Sequence, residues 1–354
     1  MNMNYAISCL FIICLALASC GDQSSPIVLE EFIYDTLTAK TPQCHASTVA
    51  ASGDYLIAAW FGGTHEKNKD VGIWVSRKSG DAWSEPLEVV NGIQNDTLRY
   101  PCWNPVLFQP KEGPLVLFYK VGPSPREWWG RKIISHDNGN TWTEDAALPE
   151  GFLGPIKNKP VELADGSVMY PTSTEHDGWK VQMEFSNAGF TEWRKTGDLN
   201  DGKEIGAIQP TILFHPDGVI QALCRTQQGF VSDLWSEDNG KTWGEMGRSI
   251  LPNPNSGIDA VTLKDGRHLL VYNPVADNWG ARVPLTVSVS DNGSDWTDVL
   301  ELEPLPHGAD PEKLEFSYPA VVQTDDGKVH IVYTWNRKTV KYVVLDPSQI
   351  KGGS

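Results

Sequence analysis

The sequence is poor in basic side chains and in cysteine. It has 29 lysines and arginines against 45 aspartates and glutamates in 354 residues, for a formal net charge of −16. This excess of negative charge argues against nucleic acid as a partner, because phosphate contacts need clustered lysines and arginines. The six cysteines show no CxxC spacing. They therefore predict neither a disulfide framework nor a zinc site.

Long apolar runs are also missing. The apolar stretch at residues 6–18 is too short to be predicted as a membrane-spanning helix. It ends in Leu17-Ala18-Ser19-Cys20, which resembles the cleavage box of bacterial lipoproteins. We expect residues 1–20 to be a signal peptide, Cys20 the lipidated N-terminus, and residues 21–27 a tether. Because Met1–Tyr5 has no lysine or arginine, an ordinary cleaved signal peptide stays an alternative.

Either signal takes the protein out of the cytoplasm. The lipoprotein interpretation predicts a bacterial envelope protein, held by its lipid in the periplasm or on the outer-membrane surface. Besides the lipidated Cys20, three cysteines remain after the signal peptide is removed, Cys44, Cys102 and Cys224. Cys44 and Cys102 can form a pair, but buried free thiols are the simpler expectation.

Helix signals are scarce, whereas turn formers and aromatics are plentiful. The chain has 32 glycines, 24 prolines and 14 tryptophans, and 40% of its residues are hydrophobic. This composition favours an ordered fold of short strands and tight turns. No convincing amphipathic helix interrupts them.

Two internal repeats define the fold class. The pattern Ser-x-Asp-x-Gly-x-Thr-Trp occurs at residues 135–142 and 236–243, and a third copy at 290–296 keeps an Asp, a Gly and the Trp. Decayed copies keep a Ser seven residues before Trp83 and Trp193. The five tryptophans recur at intervals of 59, 51, 50 and 53 residues. Such a period is typical of propeller blades.

Hairpin turns repeat with the same period. A glycine turn between apolar, β-branched runs occurs six times, at Gly53, Gly113, Gly166, Gly218, Gly266 and Gly327. Four of the six are preceded by Asp, the strongest short hairpin signal. The sequence therefore predicts an all-β fold, one six-bladed β-propeller over residues 28–350, with Val28–Tyr34 supplying a strand that closes the ring.

The Ser-Asp-Gly-Thr-Trp turn is the Asp-box, and the chain resembles the sialidase superfamily of BNR-repeat proteins over almost all of its mature length. The resemblance implies the propeller fold strongly and the chemistry hardly at all. We expect the Asp-boxes to be structural, because their Asp and Thr cap a turn and their Trp packs between strands.

The propeller predicts where a site lies. The first residue of each inner strand should face a central funnel, and the second strands should return to the same rim. Four candidates directly precede a proline, which belongs at the first position of a strand. The inner-strand candidates are His45, Asn104, Lys159, Gln209, 255–257 and Tyr318. The second-strand candidates are 64–66, including His65 and Glu66, with Lys120, Glu175, Arg225, Asn273 and Arg337, and a loop adds Arg282.

The basic candidates define the ligand class. Lys120, Lys159, Arg225, Arg282 and Arg337 on one face would form a positive funnel in an acidic protein, and an acidic sugar explains them most simply. Tryptophans near the same rim are candidates for stacking on sugar rings, although each alone is as compatible with packing: Trp103, Trp128, Trp129, Trp279 and Trp335.

The resemblance to sialidases also implies residue roles. Sialidases use a Tyr activated by a Glu as nucleophile, a loop Asp as acid/base and three arginines that hold the substrate carboxylate. Tyr318 lies where the nucleophile is expected, Glu315 or Glu175 would polarise it, and Glu66 occupies the acid/base position. The first arginine is missing, because the Arg-Ile-Pro start of blade one is replaced here by His45-Ala46-Ser47. Losing a bidentate carboxylate clamp puts sialic acid hydrolysis in doubt.

A different reaction fits the substitution. His45 and Tyr318 should face each other where blades one and six meet, as base and acid beside Asn104, Lys159, Gln209 and Arg225. Such a set can remove the C5 proton of a uronic acid and stabilise the enolate. This β-elimination at a non-reducing-end uronate, by a dehydratase or lyase of polysaccharide degradation, is the first hypothesis.

The alternatives are an exo-acting, sialidase-like glycosidase on an acidic or related sugar and a non-catalytic sugar-binding propeller. We expect a monomer that needs no cofactor or metal.

Overall fold

A computed structural model describes residues 25–143 and 145–351. The predicted signal peptide, Cys20 and residues 21–24 of the tether lie outside the described residues. Within the described part of the chain, no helix is long and apolar enough to cross a membrane. The same ranges contain no group of three or more His, Cys, Asp or Glu side chains placed to hold a metal ion. Cys44, Cys102 and Cys224 are buried free thiols.

The described residues form an almost purely β structure. Short 3-10 turns occur at Pro216–Gly218, Pro311–Lys313 and Pro347–Gln349. The strands are, in chain order, β1 (Ile27–Phe32), β2 (Gln43–Ser52), β3 (Tyr55–Gly63), β4 (Gly72–Ser79), β5 (Ala82–Trp83), β6 (Leu87–Val90), β7 (Ile93–Asn95), β8 (Leu98–Arg99), β9 (Cys102–Phe108), β10 (Leu115–Val121), β11 (Trp129–Ser135), β12 (Ala146–Ala147), β13 (Val161–Glu162), β14 (Val168–Thr174), β15 (Lys180–Ser186), β16 (Trp193–Lys195), β17 (Ala207–Phe214), β18 (Ile220–Thr226), β19 (Phe230–Ser236), β20 (Gly247–Pro252), β21 (Asp259–Thr262), β22 (His268–Tyr272), β23 (Leu285–Ser290), β24 (Thr297–Glu303), β25 (Phe316–Gln323), β26 (Val329–Trp335) and β27 (Thr339–Leu345).

Six antiparallel sheets form the blades of a propeller. Blade one contains β2–β5, with β6 paired to β4, and blades two to five contain β9–β12, β13–β16, β17–β20 and β21–β24. Blade six contains β25–β27 and takes β1 as its outer strand. β1 pairs with β27 with Glu30 opposite Val343, so the N-terminal strand closes the ring within the C-terminal blade. The six-bladed propeller predicted from the repeats is confirmed.

The hydrophobic core lies between the blades. Each pair of neighbouring blades encloses its own cluster of buried side chains, for example Leu285 of blade five with Ile331 of blade six, and Tyr119 of blade two with Phe61 of blade one. Both faces of each sheet are therefore covered, and the chain needs no helical layer to bury its strands.

The Asp-boxes hold the turns between outer strands. Asp137 accepts hydrogen bonds from the backbone N–H of Thr141 (2.8 Å) and from its hydroxyl (2.7 Å), and Ser135 bonds to both Asp137 and Gly139. Asp238 repeats this arrangement with Thr242. These hydrogen bonds lower the pKa of Asp137, as expected for a carboxylate that accepts several of them.

The third Asp-box copy, at residues 290–296, differs from the first two. Its turn is one residue shorter, so the side chain that accepts the turn hydrogen bonds is Asn292, which bonds the N–H groups of Ser294 (2.9 Å) and Asp295 (2.8 Å). Asn292, and not an aspartate, therefore accepts the turn hydrogen bonds in this copy.

Four inner strands share a kink at the funnel. In each of them, one extra residue shifts the register with the neighbouring second strand. A non-glycine residue at this kink has a left-handed backbone. Such a bulge turns the strand end and re-aims its side chains. Three of these residues precede a proline, which cannot donate a ladder hydrogen bond in any case. The four residues are Ala46 (φ 53°), Asn104 (φ 37°), Gln209 (φ 57°) and Tyr318 (φ 54°).

Candidate active site

A cavity of about 600 Å³ lies on the face of the ring where the inner strands begin. Its walls come from the starts of inner strands and from the loops that follow second strands. The lining residues are His45, Glu66, Lys67, Ser124, Pro125, Arg126, Glu175, Trp179, Ile208, Gln209, Arg225, Trp279, Arg282, Tyr318 and Arg337.

The Tyr318 hydroxyl is held by nitrogen donors. Arg225 donates to it from Nη1 at 2.7 Å, and the Gln209 amide lies at 3.5 Å. Among the described residues, no carboxylate hydrogen-bonds this hydroxyl. Neither Glu315 nor Glu175, the two carboxylates expected to polarise Tyr318, contacts its oxygen. The phenol oxygen is therefore placed as an acceptor beside a cation, where negative charge on it is stabilised.

Arg225 itself is buried and makes four hydrogen bonds, none of them to a carboxylate of the described residues. Its Nε and Nη2 donate to Asn255 Oδ1 at 3.0 and 2.8 Å, and its Nη1 also donates to Gln209 Oε1 at 3.2 Å. No ion pair joins it to an acid within the described chain. A buried cation with neutral partners is costly unless an anion compensates it. Burial accordingly lowers its pKa, although the pKa of an arginine stays too high for it to lose its charge.

His45 and Tyr318 meet, as the sequence predicted for the junction of blades one and six. Their ring centroids lie 4.2 Å apart, with the planes inclined by 50°. His45 Nδ1 bonds Thr334 Oγ1 at 3.1 Å, and Arg337 Nη2 lies 3.5 Å from Nε2. Burial, together with the charges of Arg337, Arg282, Arg225 and Lys157, holds the pKa of His45 well below its usual value. The imidazole is therefore neutral near pH 7.

Glu315 joins two of the arginines into one unit. Its Oε1 accepts from Arg282 Nη1 and its Oε2 from Arg337 Nε, both at 2.8 Å. Burial raises the pKa of Glu315, but these two guanidiniums outweigh that effect and the pKa lies below its ordinary value. Arg337 Nη1 also donates to Glu66 at 2.6 Å. Three guanidiniums thus surround Tyr318 and His45, and within the described ranges only that of Arg225 forms no ion pair with an acid.

A buried lysine supports the floor of the cavity. Lys157 Nζ reaches across the propeller axis and donates to the carbonyl oxygens of Ile258 (2.8 Å) and Pro319, the residue after Tyr318. Gly257 packs against the Tyr318 ring, where an added Cβ would lie 3.2 Å from two ring carbons. The Tyr318 side chain is therefore held from below by blades three and five.

Most of the predicted site residues line this cavity, but several do not. Lys159 is placed wrongly by the sequence argument, because its Nζ donates to both oxygens of Asp259 at 3.0 and 3.1 Å. Lys120 is fully buried and donates to Pro155 O at 2.5 Å. His65 bonds the Glu66 carbonyl, and Asn104 lies at the kink of β9 but outside the lining.

The remaining candidates are structural. Asn273 donates to the carbonyl oxygens of Pro284 and Phe316, which ties blade five to blade six. Of the tryptophans expected near the rim, only Trp279 lines the cavity, with 61% of its surface exposed. Trp103 and Trp128 are buried against each other, and Trp335 packs on Phe32 and Phe316. These aromatic side chains fill space between strands, as tryptophans in propellers commonly do.

Sequence reasoning missed six lining residues, and Arg126 and Trp179 are among them. Arg126 lies in the loop after β10, and Trp179 lies in the loop after β14, four residues beyond Glu175. Both loops follow second strands, so the rule that selected Glu66 would have found them if it had covered whole loops. The ring centroid of Trp179 lies 5.3 Å from the guanidinium carbon of Arg225.

The fold defines a six-bladed β-propeller of the BNR-repeat class. Residues 54–331 match the model of the BNR repeat-like domain, and the chain belongs to that family. No curated protein matches the sequence.

Solved structures are similar at low identity. A protein of unknown function from Dyadobacter fermentans is 15% identical with a TM-score of 0.71, over 92% of this chain and 99% of that one. The Hadza microbial sialidase Hz136 is 15% identical with a TM-score of 0.76, over 91% and 69%. The intramolecular trans-sialidase from Ruminococcus gnavus is 14% identical with a TM-score of 0.68, over 92% and 98%. Likeness at this identity establishes the fold.

Proposed function

We propose that the protein is a carbohydrate-active enzyme that acts on uronate-ended oligosaccharides by β-elimination at the non-reducing-end uronic acid. The observation that carries the proposal is the bond from Arg225 to the Tyr318 hydroxyl, with Gln209 and neutral His45 alongside. No carboxylate of the described residues hydrogen-bonds that oxygen. A tyrosine nucleophile of sialidase type needs a carboxylate to take its proton. Here the neighbouring groups stabilise negative charge instead.

Arg225 and Arg282 are the residues that bind the uronate carboxylate. Arg225 is buried without an acidic partner, and Arg282 hydrogen-bonds Glu315 through one nitrogen only. A carboxylate beside them would be held by charge-assisted hydrogen bonds. The same contacts would draw electron density from C5, which makes the C5 proton more acidic.

Tyr318 and His45 are the proton-transfer pair. One of them removes the C5 proton, the C5–H electron pair becomes the C4–C5 double bond, and the C4–O bond breaks. The other gives a proton to the departing oxygen. If C4 carries a free hydroxyl, water leaves and the enzyme is a dehydratase. If the cavity instead accepts a uronate within a chain, whose C4 carries another sugar, the chain is cut and the enzyme is a lyase. Both outcomes give a 4,5-unsaturated uronate.

A kinetic isotope effect tests this reaction. A uronate-ended disaccharide carrying deuterium at C5 should turn over several times more slowly than the undeuterated compound, because the C5–H bond breaks in the proposed step. A disaccharide with deuterium at C2 is the matched control and should react at the normal rate. Equal rates for all three substrates, with each converted, would reject the elimination.

A sialidase-like hydrolase is the second candidate. It is favoured by Glu66, which lines the cavity at the position implied for the acid/base, and by Tyr318, which begins blade six where the nucleophile is implied. In that case Tyr318 would attack the anomeric carbon and Glu66 would protonate the leaving oxygen. The product would gain one water, whereas dehydration loses one. A sugar-binding propeller without catalytic activity would leave both uronate-ended and sialic-acid-ended oligosaccharides unchanged.

The cellular setting belongs to the same proposal. We propose a monomer anchored to a bacterial envelope by a lipid on Cys20, acting on acidic glycans during polysaccharide degradation. Radiolabelled palmitate tests the anchor: incorporation should occur in the wild-type chain and should be absent after Cys20→Ala. Labelling of both proteins or of neither would reject this anchor.

A further inference from the structure

A groove of about 760 Å³ runs outward from the cavity between blades five and six. Three residues, Trp279, Arg282 and Arg337, line both spaces, so the cavity and the groove share one wall. The rest of the groove is formed by the 3-10 turn at Pro311–Lys313, by Glu315 and by the turn between β26 and β27. A ligand in the cavity that passes over this wall would therefore reach the groove.

The wall shared by the cavity and the groove carries an exposed aromatic side chain, Trp279. Trp279 is 61% exposed and has a left-handed backbone (φ 58°), a conformation that costs energy for a bulky residue. Its ring edge packs on Trp179, with the centroids 6.2 Å apart. An exposed tryptophan that is held in a strained conformation between two cavities is better explained by a ligand contact than by packing.

The floor of the groove is rigid. Asn336 Oδ1 accepts from the Glu315 N–H at 2.9 Å, and the Asn336 N–H donates to the Glu315 carbonyl at 2.6 Å. Asn336 and Arg337 both have left-handed backbones, with φ of 49° and 54°. This reciprocal clamp fixes the β26–β27 turn against the residue that holds Arg282. A preformed surface of this kind loses little entropy when a ligand binds.

The groove lining offers both donors and acceptors, and ion pairs with Glu315, Glu66 and Asp310 offset most of its positive charge. Glu315 is neutralised by Arg282 and Arg337, and Lys313 lies 3.5 Å from Asp310. Gln43, Glu312, Asn336 and Lys338 supply amide, carboxylate and ammonium groups around the apolar side chain of Leu314. Such a lining matches the hydroxyls and apolar faces of sugars better than a second strongly anionic group.

We propose that this groove binds the second and third sugars of the oligosaccharide whose acidic end occupies the cavity. The identity of the acidic end sugar rests on the proposed function. The path of the second and third sugars along the groove does not depend on it. The groove makes the protein specific for oligosaccharides over free uronic acid. The added affinity comes from hydroxyl contacts in the groove and not from charge.

Binding measurements on a chain-length series test the groove. The protein carries Tyr318→Phe to prevent turnover, and calorimetry compares glucuronic acid with uronate-ended di- and trisaccharides. We expect the trisaccharide to bind about tenfold more tightly than glucuronic acid.

The groove variant adds Gln43→Ala and Lys338→Ala, two exposed residues away from Tyr318. It should lose most of that tenfold gain while its affinity for glucuronic acid stays within twofold. Lys111→Ala with Lys264→Ala, on hairpins of the opposite face, is the matched control and should keep the gain.

A parallel series that ends in sialic acid separates the two proposals. If only sialic-acid-ended oligosaccharides bind, and the groove variant loses their chain-length gain, the groove inference holds and the uronate proposal fails. If uronate-ended sugars bind without any gain from added sugars, or the groove variant keeps the gain, the groove inference is wrong and the uronate proposal stands. Binding of neither series overturns both.

Discussion

The guanidinium of Arg225 donates a 2.7 Å hydrogen bond to the hydroxyl of Tyr318, and Gln209 accepts a second hydrogen bond from the same guanidinium nitrogen. The three residues come from β17, β18 and β25 and meet on the propeller axis. Tyr318 therefore has a cation and an amide where a tyrosine nucleophile would have a carboxylate. This arrangement separates the elimination proposed here from hydrolysis of the sialidase type.

Replacing Gln209 by glutamate tests that difference. Gln209→Glu changes one atom group, places a carboxylate beside Tyr318 and pairs it with Arg225. If Arg225 binds the substrate carboxylate and stabilises charge on Tyr318, kcat/KM should fall by about tenfold or more, because the new carboxylate neutralises the cation. Gln209→Asn is the control that keeps the amide and should cost less. An unchanged or raised kcat/KM in Gln209→Glu would favour a carboxylate-activated tyrosine and contradict the elimination.

His45 and Tyr318 should both be essential for turnover. Tyr318→Phe removes only the hydroxyl, and His45→Gln keeps a polar side chain near Thr334. Loss of a proton-transfer group commonly costs roughly 10²- to 10⁴-fold, and we expect kcat to fall by such a factor in each variant. Circular dichroism and the melting temperature should show that both remain folded. Full activity in either folded variant would remove that residue from the mechanism.

The low pKa of His45 predicts how stability depends on pH. The unfolded chain takes up a proton on His45 near the usual pKa of about 6.5, whereas the folded protein does so only at much lower pH. Between these values the unfolded state binds more protons, so the free energy of unfolding falls as the pH falls below about 6.5. Above that pH, His45 has no such effect.

Thermal melting of the wild type and of His45→Gln checks this dependence. The wild type should lose more of its melting temperature than the variant when the pH is lowered from about 7.5 to about 5. His215, His268 and His330 also have lowered pKa values and are present in both proteins, so the difference isolates His45. Equal losses would mean that folding does not change the pKa of His45 and would contradict its lowered pKa.

The Asp-boxes should contribute to stability and not to chemistry. Asp137 accepts the backbone and hydroxyl hydrogen bonds of Thr141 at the outer edge of blade two. Asp137→Ala should lower the melting temperature and leave kcat/KM within about twofold. Asp291→Ala, on the equivalent turn but outside its hydrogen-bond network, is the control and should change neither. A fall in activity without a change in melting would place Asp137 in the reaction.

The fold was predictable because its signals are local. A few neighbouring residues determine the geometry of a glycine hairpin or an Asp-box turn, and the repeat of these turns gives the number of blades. The third box shows the limit of this reasoning. One missing residue between Ser290 and Trp296 moved the capping role to Asn292.

The site was predictable only in part, because register decides which way a side chain points. Gln209 and Tyr318 face the axis owing to a left-handed kink, but Lys159 precedes a proline without such a kink and turns to Asp259. A shift of one residue in a strand reverses a side chain, and no spacing argument detects it. The partners of Lys120 and Lys159 depend on contacts between blades that only the folded chain brings together.

Mass spectrometry of the reaction products tests the central claim most directly. The purified protein is incubated with uronate-ended and sialic-acid-ended oligosaccharides, and the mass of each product is compared with that of its substrate. The account predicts that a uronate-ended oligosaccharide loses one water, or is cut into fragments whose masses sum to that of the substrate. Fragments that together exceed the substrate by one water would show hydrolysis and contradict it.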